Sequence, residues 1–553
     1  MTSFPRNNFI TPLLTDLYEV TMAYVYFREG RHLLPATFDL FFRKNPFQGE
    51  YTVFAGLTEV LHFVHEQFRF TDEHIAFLRG HEAFANADQL DAFLAFLQSE
   101  ACSGRRVQLR ALPEGSVCFP LEPLLRVDGP LAVCQLLETT LLTLVNFPSL
   151  VATNAARHRV AVGERVQLIE FGLRRAQGPD GGMSASRYAY LGGFDGTSNV
   201  MAAYAYGIPC RGTHAHAFVQ SFAETGPPVD ATAAAHSERS ALASLAYHYR
   251  ENVVEPALRQ PFQVSAMAAN ESELRAFVAY AAAFPRAFLA LVDTYDSLGS
   301  GIPNFLSVAL ALEHQGYKPL GIRIDSGDLA YISTQARRMF DVVNPGNKYI
   351  IFASSEIHED TLYALKEQGH AIDAFGVGTH LVTCQKQPAL GCVFKLVQVG
   401  HVACIKVSED PSKTTIPGRK RVYRLYGRDP TVCMIDLMML ETEPEPHPGE
   451  RILCCHPYEE HKRCYMTPSR VEEILQPLCV FGEVLAMDDA QVSASDHERL
   501  RVARKRCLEQ VRALRYDYKR PLNPTPYKVS VSAALFKLVH QLWLEELAIR
   551  ELS

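Results

Sequence analysis

Apolar and polar positions change their period along the chain. Residues 11–30 carry apolar side chains at three-to-four spacing up to Gly30, which predicts a helix. Residues 36–43 (ATFDLFFR) read as a strand and 51–100 as helices with polar breaks. Residues 106–128 read as two or three strands joined by Pro-Glu-Gly and Pro turns, and 130–160 as a long helix. This block predicts an α+β domain over 1–160. From about residue 165, short apolar runs recur at 166–174, 208–216, 287–296, 319–328, 348–356, 372–380 and 392–399. Helical segments separate them, and this alternation predicts a parallel sheet. Seven such units within 161–400 predict a β/α barrel, whose chemistry sits at the C-terminal strand ends. Polar residues fall at that end in nearly every unit. The tail, 401–553, mixes strands and turns, ends in helices, and is expected to pack on the first block. Residues 223–238, poor in apolar side chains and holding paired prolines, predict a mobile loop at the barrel mouth.

Composition narrows the partners. The 553 residues are 48% hydrophobic and 21% charged, enough to bury a large core without staples. A net charge of −7 argues against nucleic acid as the main partner. A small anion remains open, because a few focused cations act inside a neutral surface. Thirteen cysteines without regular spacing predict free thiols in a reducing compartment, hence the cytoplasm. The start, MTSFPRNNFITP, does not read as a secretory signal, and the most apolar stretch, 277–292, is broken by Pro285 and Arg286, so no membrane partner is expected.

Candidate chemistry collects at the strand ends. Arg323 and Asp325 alternate along one strand and so share a face. The guanidinium could clamp a carboxylate or phosphate, or close a structural ion pair. Gly376-Val377-Gly378-Thr379 could cradle phosphate with backbone N–H groups, or only make a turn. His214 and His216 could bind zinc, or supply one reactive and one structural imidazole, or do neither. Arg174 and Arg175 could meet phosphates or be a solvated pair. Asp293 and Asp296 could hold magnesium or ribose, or cap a helix. Cys454, Cys455, His456 and Cys464 read as structural thiols, because adjacent cysteines suit one tetrahedral site poorly. The basic run 499–506 reads as a solvated helix face ahead of a nuclear address.

Taken in order, the motifs resemble one family. FDLFFRKNPF (38–47), EPLLRVDGPL (122–131), IEFGLRRAQGPDG (169–181), YLGGFDGTSN (190–199), GTHAHAFV (212–219), LVDTYD (291–296), RIDSGDL (323–329), GVGTHLVTC (376–384) and the PALG that follows resemble nicotinate phosphoribosyltransferase. The resemblance runs from about residue 11 to 400 and loosens in the tail. It implies an irregular α/β barrel with an α+β domain made from both chain ends. It also implies a homodimer with the active site at the subunit interface. The implied reaction joins nicotinate to phosphoribosyl pyrophosphate (PRPP), giving nicotinate mononucleotide and pyrophosphate. Mg-ATP hydrolysis is coupled to it, within NAD salvage.

The resemblance also implies residue roles. Arg323 pairs with the nicotinate carboxylate, and Asp325 and Asp293 lie by the ribose. Gly376, Gly378 and Thr379 hold phosphate groups. Arg174 meets pyrophosphate or the ring. Thr213 contacts nicotinate, as does Tyr18 from the partner subunit. His216 becomes phosphorylated, and magnesium or manganese is held mainly by PRPP. His214 departs from the family pattern, and so does ASSEI (353–357), which leaves Ser354 and Ser355 without assigned roles. Related nicotinamide enzymes carry Asp at the position of Ser198, and Asp there would repel a carboxylate, so serine favours nicotinate. Three other readings stay open: a nicotinamide-using relative, a metal-dependent barrel hydrolase with His214 and His216 as ligands, and a binding protein that keeps the fold without turnover.

Overall fold

The computed structural model describes residues 7–223, 233–264, 269–408, 413–480, 483–484 and 495–546. Most of the expected loop at 223–238 lies outside them, and a helix runs from Ala233 to Tyr249.

Three sheets carry the architecture. The first is antiparallel and joins both chain ends. Its central strand, Pro35–Phe42, pairs with Leu125–Pro130 on one side and Cys392–Val399 on the other. Strand Gln108–Ala111 follows, and Gln476–Val480 of the tail pairs with it. The run at 392–399 is therefore not a barrel strand as its pattern suggested. Its buried positions are Phe394 and Val397, and its hydrogen-bond partner, Pro35–Phe42, lies some 350 residues earlier. A buried ion pair ties this sheet to the tail: Lys420 Nζ lies 2.7 Å from Asp39 Oδ2. The lysine also donates to the carbonyls of Ile416 and Gly418, at 2.6 and 2.8 Å. With desolvation this complete, removing either charge alone would cost about 3–5 kcal/mol.

The second sheet is parallel, in the order Gly196–Thr197, Gln167–Glu170, Ala374–Val377, Ile350–Ala353, Gly321–Ile324, Leu289–Leu291. Its strands are apolar because helices cover the outer face. Phe288, Phe305, Phe340 and Tyr349 form one such contact, with ring centroids 5.2–5.8 Å apart. The two edge strands are bridged by the extended segment 208–214, which is why that run looked like a strand. On one side Thr197 N donates to Pro209 O and Arg211 N to Thr197 O. On the other side the links come from side chains. Thr213 Oγ1 donates to Leu289 O at 2.6 Å, and Leu291 N donates to His214 Nε2 at 3.2 Å. Closure through side chains makes the barrel irregular. The pattern missed Gly196–Thr197, which is too short to show a period.

The third sheet belongs to the tail and packs its strands around Cys433–Leu440 and Lys420–Tyr426. Helix Asp496–Ala513 holds the basic run, and two of its arginines are structural. Arg504 donates to the carbonyls of Tyr190 and Phe194, and Arg506 to that of Glu114. Cys454 and Cys464 face each other across a strand pair, and burial lifts the Cys454 thiol to about 12. Among the described residues no group of three or more His, Cys, Asp or Glu side chains is placed to hold a metal. No helix there is long and apolar enough to cross a membrane.

Candidate active site

The C-terminal ends of the parallel strands gather most of the predicted residues. Arg323 leaves the strand Gly321–Ile324 half-buried. Its Nε donates to Ser354 Oγ at 2.8 Å and its Nη2 to Asp325 Oδ1 at 2.9 Å. Ser354, buried, also donates to the same Asp325 oxygen. Below the guanidinium, the Phe171 ring centroid is 5.3 Å from Cζ. Phe171 stacks on Phe352, with centroids 5.3 Å and planes 22° apart. One cation is thus held in a fixed plane by a carboxylate, a hydroxyl and an aromatic face. The structure shows the ion pair of the Arg323–Asp325 reading, at the C-terminal end of the strand Gly321–Ile324.

The aromatic pair also explains Gly376. A Cβ there would lie 2.6 Å from Phe171 Cδ2 and 2.9 Å from Phe352 Cε1, so only glycine leaves the stack in place. Gly378 opens the short helix Thr379–Val382, and a Cβ there would meet nothing nearer than 3.5 Å. Thr379 is exposed on the same turn.

Asp293 follows the strand Leu289–Leu291. Its Oδ2 accepts from Asp325 N at 3.1 Å and from Ser326 Oγ at 2.5 Å, which locks two neighbouring strand ends together. Its Oδ1 is buried with no hydrogen-bond partner among the described residues. Asp296 caps the turn that follows, accepting from Leu298 N and Gly299 N at 3.0 Å each.

The two histidines part. Ala215 is the N-cap of helix His216–Gln220, so the backbone turns between them. His214 is buried against the rings of Phe218, Phe277 and Tyr280, and burial pulls its pKa down to about 4. With Nε2 accepting from Leu291, it is a neutral wall residue. His216 is part-exposed, its Nδ1 3.1 Å from Thr294 Oγ1 and its Nε2 3.9 Å from Asp325 Oδ2. The arrangement leaves no histidine pair on one ion, which weakens the hydrolase reading.

Other predicted residues stand around this centre. Ser198 ends the strand Gly196–Thr197 and donates its N–H to Glu170 O at 2.9 Å. Arg174 and Arg175 are exposed on the turn after Gln167–Glu170. Thr213 spends its hydroxyl on the Leu289 carbonyl. Tyr18 lies apart, on helix Leu17–Arg28 of the antiparallel domain, 46% exposed. Burial first, then the Glu138, Glu19 and Asp16 carboxylates, raise its hydroxyl to about 12.

Several supporting residues carried no sequence signal. Buried Glu170 accepts from Gly172 N, Ser186 Oγ and Thr197 Oγ1, pinning the turns that bear Arg174 and Ser198. Glu273, fully buried, accepts from Ser300 Oγ at 2.6 Å and Asn304 Nδ2 at 3.0 Å, anchoring the loop of Asp293 and Thr294. Burial raises Glu273 to about 7. Its Oε1 and Asn304 Oδ1 both lack partners, so a neutral carboxyl suits the site better than an ionised one. Because the folded pKa is raised, the stability it contributes is present at low pH and is lost as pH rises from about 4.5 to 7. Glu273→Gln lacks that loss. Relative to the wild-type chain, its unfolding free energy should gain roughly 3 kcal/mol between pH 4 and pH 8, read from denaturant curves.

Comparisons with known proteins place this geometry. Family models describe the N-terminal domain (residues 13–146), the nicotinate phosphoribosyltransferase family region (166–284) and the C-terminal domain (419–539). Nicotinate phosphoribosyltransferase 2 of Arabidopsis thaliana is 51% identical over 99% of this chain and 97% of its own. The Homo sapiens nicotinate phosphoribosyltransferase is 42% identical over 96% of each. The crystal structure of the human enzyme superposes with a TM-score of 0.79, at 38% identity, covering 96% of this chain and 99% of that one. The chain belongs to the nicotinate phosphoribosyltransferase family.

Proposed function

We propose that the enzyme transfers the phosphoribosyl group of PRPP to the ring nitrogen of nicotinate, with ATP hydrolysis coupled through a phosphohistidine at His216. The observation that carries the base assignment is the Arg323 guanidinium, oriented by Ser354 and Asp325 over the Phe171 ring. Two of its N–H groups are used, and the rest can meet a carboxylate in parallel. The Phe171–Phe352 wall gives a flat pyridine ring a surface to lie on. With the base so held, its nitrogen attacks C1 of the ribose as the pyrophosphate oxygen departs and takes the bonding pair. Asp325 faces the positive charge that develops on the sugar, and Arg174 and the Gly378–Thr379 turn face the phosphates. Asp293, whose Oδ1 has no hydrogen-bond partner among the described residues, would help hold a magnesium or manganese ion brought by PRPP, and that ion would supply positive charge to the leaving pyrophosphate.

His216 is the accessible imidazole. Thr294 occupies Nδ1, and Nε2 is directed to the mouth beside Asp325. Transfer of the γ-phosphoryl group of ATP to this ring releases ADP and adds nearly two negative charges, which water later removes as phosphate. Mononucleotide formation followed with and without Mg-ATP tests the coupling. ADP should appear with product and the yield of mononucleotide should rise. Equal yields without ATP would remove the phosphohistidine from the account.

A homodimer fits the surface. Val200, Met201 and Tyr204, on the helix Val200–Tyr206 that follows the strand Gly196–Thr197, form an apolar patch and are 72%, 49% and 81% exposed. Helix Leu17–Arg28 exposes Leu17, Tyr18 and Val25. A partner's helix on this patch would bury both and bring Tyr18 to the base. The product places the enzyme in NAD salvage, and the free thiols suit the cytoplasm.

Ser198 sets base choice in this account. Ser198→Asp places a carboxylate near that of nicotinate, and kcat/KM for nicotinate should fall at least tenfold while nicotinamide gains. Unchanged nicotinate kinetics would count against the role.

A further inference from the structure

A cavity of about 500 Å3 opens between the ends of helices Glu138–Val162, Glu359–Gln368 and Asp496–Ala513. Gly163 and Glu164 on its wall precede the strand Gln167–Glu170, and Asp195 precedes Gly196–Thr197. It therefore lies at the N-terminal strand ends, across the barrel from the transferase site.

Its walls are cationic beyond what the protein neutralises. Arg512 pairs with Glu164 at 2.6 Å. Arg159 and Arg504 share the single carboxylate of Asp195, at 2.5 and 3.2 Å. Among the described residues Lys519 Nζ meets only carbonyl oxygens, those of Val511 and Arg512, at 3.1 Å each. Lys366 has no hydrogen-bond or ion-pair partner among the described residues. Five cations face two carboxylates, an excess of three. Burial holds the Lys519 ammonium below the usual lysine range. The same walls carry Tyr363 and Tyr516 beside Leu508, so an aromatic surface adjoins the positive one. The volume falls in the range of small-molecule sites.

We propose that this cavity binds a nucleoside monophosphate, or an anion of that class, apart from the transferase site. Lys366 and Lys519 take the phosphate, and the tyrosines take the base. The site is rooted in the barrel. Asp195 Oδ2 accepts from Leu168 N at 2.9 Å, and Asp195 N donates to Leu168 O at 2.7 Å. Leu168 stands in the strand Gln167–Glu170, which leads to Phe171 and Arg174.

The test is AMP binding to the full-length enzyme by equilibrium dialysis, with Lys366→Glu, Tyr516→Ala and Arg323→Ala beside wild type. Lys366 and Tyr516 are exposed, so both variants should fold. One AMP should bind per chain. Lys366→Glu should weaken it at least tenfold and Tyr516→Ala several-fold, with kcat/KM for nicotinate unchanged when AMP is absent. Arg323→Ala should leave AMP binding intact. No AMP bound at millimolar concentration would overturn the proposal. So would binding that Arg323→Ala abolishes, or that Lys366→Glu leaves unchanged, because the ligand would then sit elsewhere.

Discussion

Arg323→Ala should lower kcat/KM for nicotinate by about 10²–10³-fold. The side chain is half-buried and its Nε and Nη2 are committed to Ser354 and Asp325, so no other guanidinium can take its place in that plane. Truncating one member of a desolvated, hydrogen-bonded charge pair costs about 2–5 kcal/mol, and each 1.36 kcal/mol is tenfold in rate. Two further effects add. Asp325 loses the cation it faces, and its negative charge then stands unbalanced near the substrate carboxylate. Phe171 loses the cation that rests on it. Arg323→Lys should recover little, since an ammonium cannot satisfy Ser354, Asp325 and a carboxylate in one plane. Steady-state kinetics over nicotinate concentration measure this, and a loss below tenfold would mean that the carboxylate is bound elsewhere.

His216→Ala should abolish labelling of the protein by ATP carrying radioactive γ-phosphate and uncouple ADP release from product formation. It should leave a slow transfer that depends on PRPP alone. His216 is part-exposed, and its contacts among the described residues are one hydrogen bond to Thr294 and a 3.9 Å approach to Asp325, so folding should not suffer. His214→Ala should behave in the opposite sense. Its ring is packed among Phe218, Phe277 and Tyr280 and accepts from Leu291 N, so the loss should appear as about 2–4 kcal/mol of stability while phosphate labelling persists. Labelling that survives in His216→Ala and vanishes in a folded His214→Ala would reverse the assignment.

The part of this site that could be read in sequence is the part that follows backbone period. Arg323 and Asp325 stand two apart where the strand Gly321–Ile324 ends, Asp325 just beyond it, so their common face was legible, and the structure shows them bonded. His214 and His216 are also two apart, yet the rule fails for them. The chain enters a helix at His216, and alternation ends at the cap. Cys392–Val399 shows the other limit. Its apolar run marks a strand, but local pattern carries no address, and it pairs with Pro35–Phe42 instead of joining the barrel. Ser354, Phe171, Glu170 and Glu273 were silent because they act through neighbours brought from other strands and helices. Ser354 bridges from the next strand, where ASSEI had offered no role, and Ser355 beside it sits at φ 130°, a region that favours glycine. The reason for Gly376 is likewise tertiary: two aromatic rings from adjoining strands meet over it.

The oriented Arg323 guanidinium is proposed to select the acid over the amide, with serine at 198 sparing the substrate carboxylate a repulsion. The direct measurement is mononucleotide formation from PRPP and Mg-ATP, run in parallel with nicotinate and with nicotinamide. Product from nicotinate, with nicotinamide at least a hundredfold slower, is the predicted result. Comparable or faster turnover of nicotinamide would contradict it, because an amide gives Arg323 no charge to pair with.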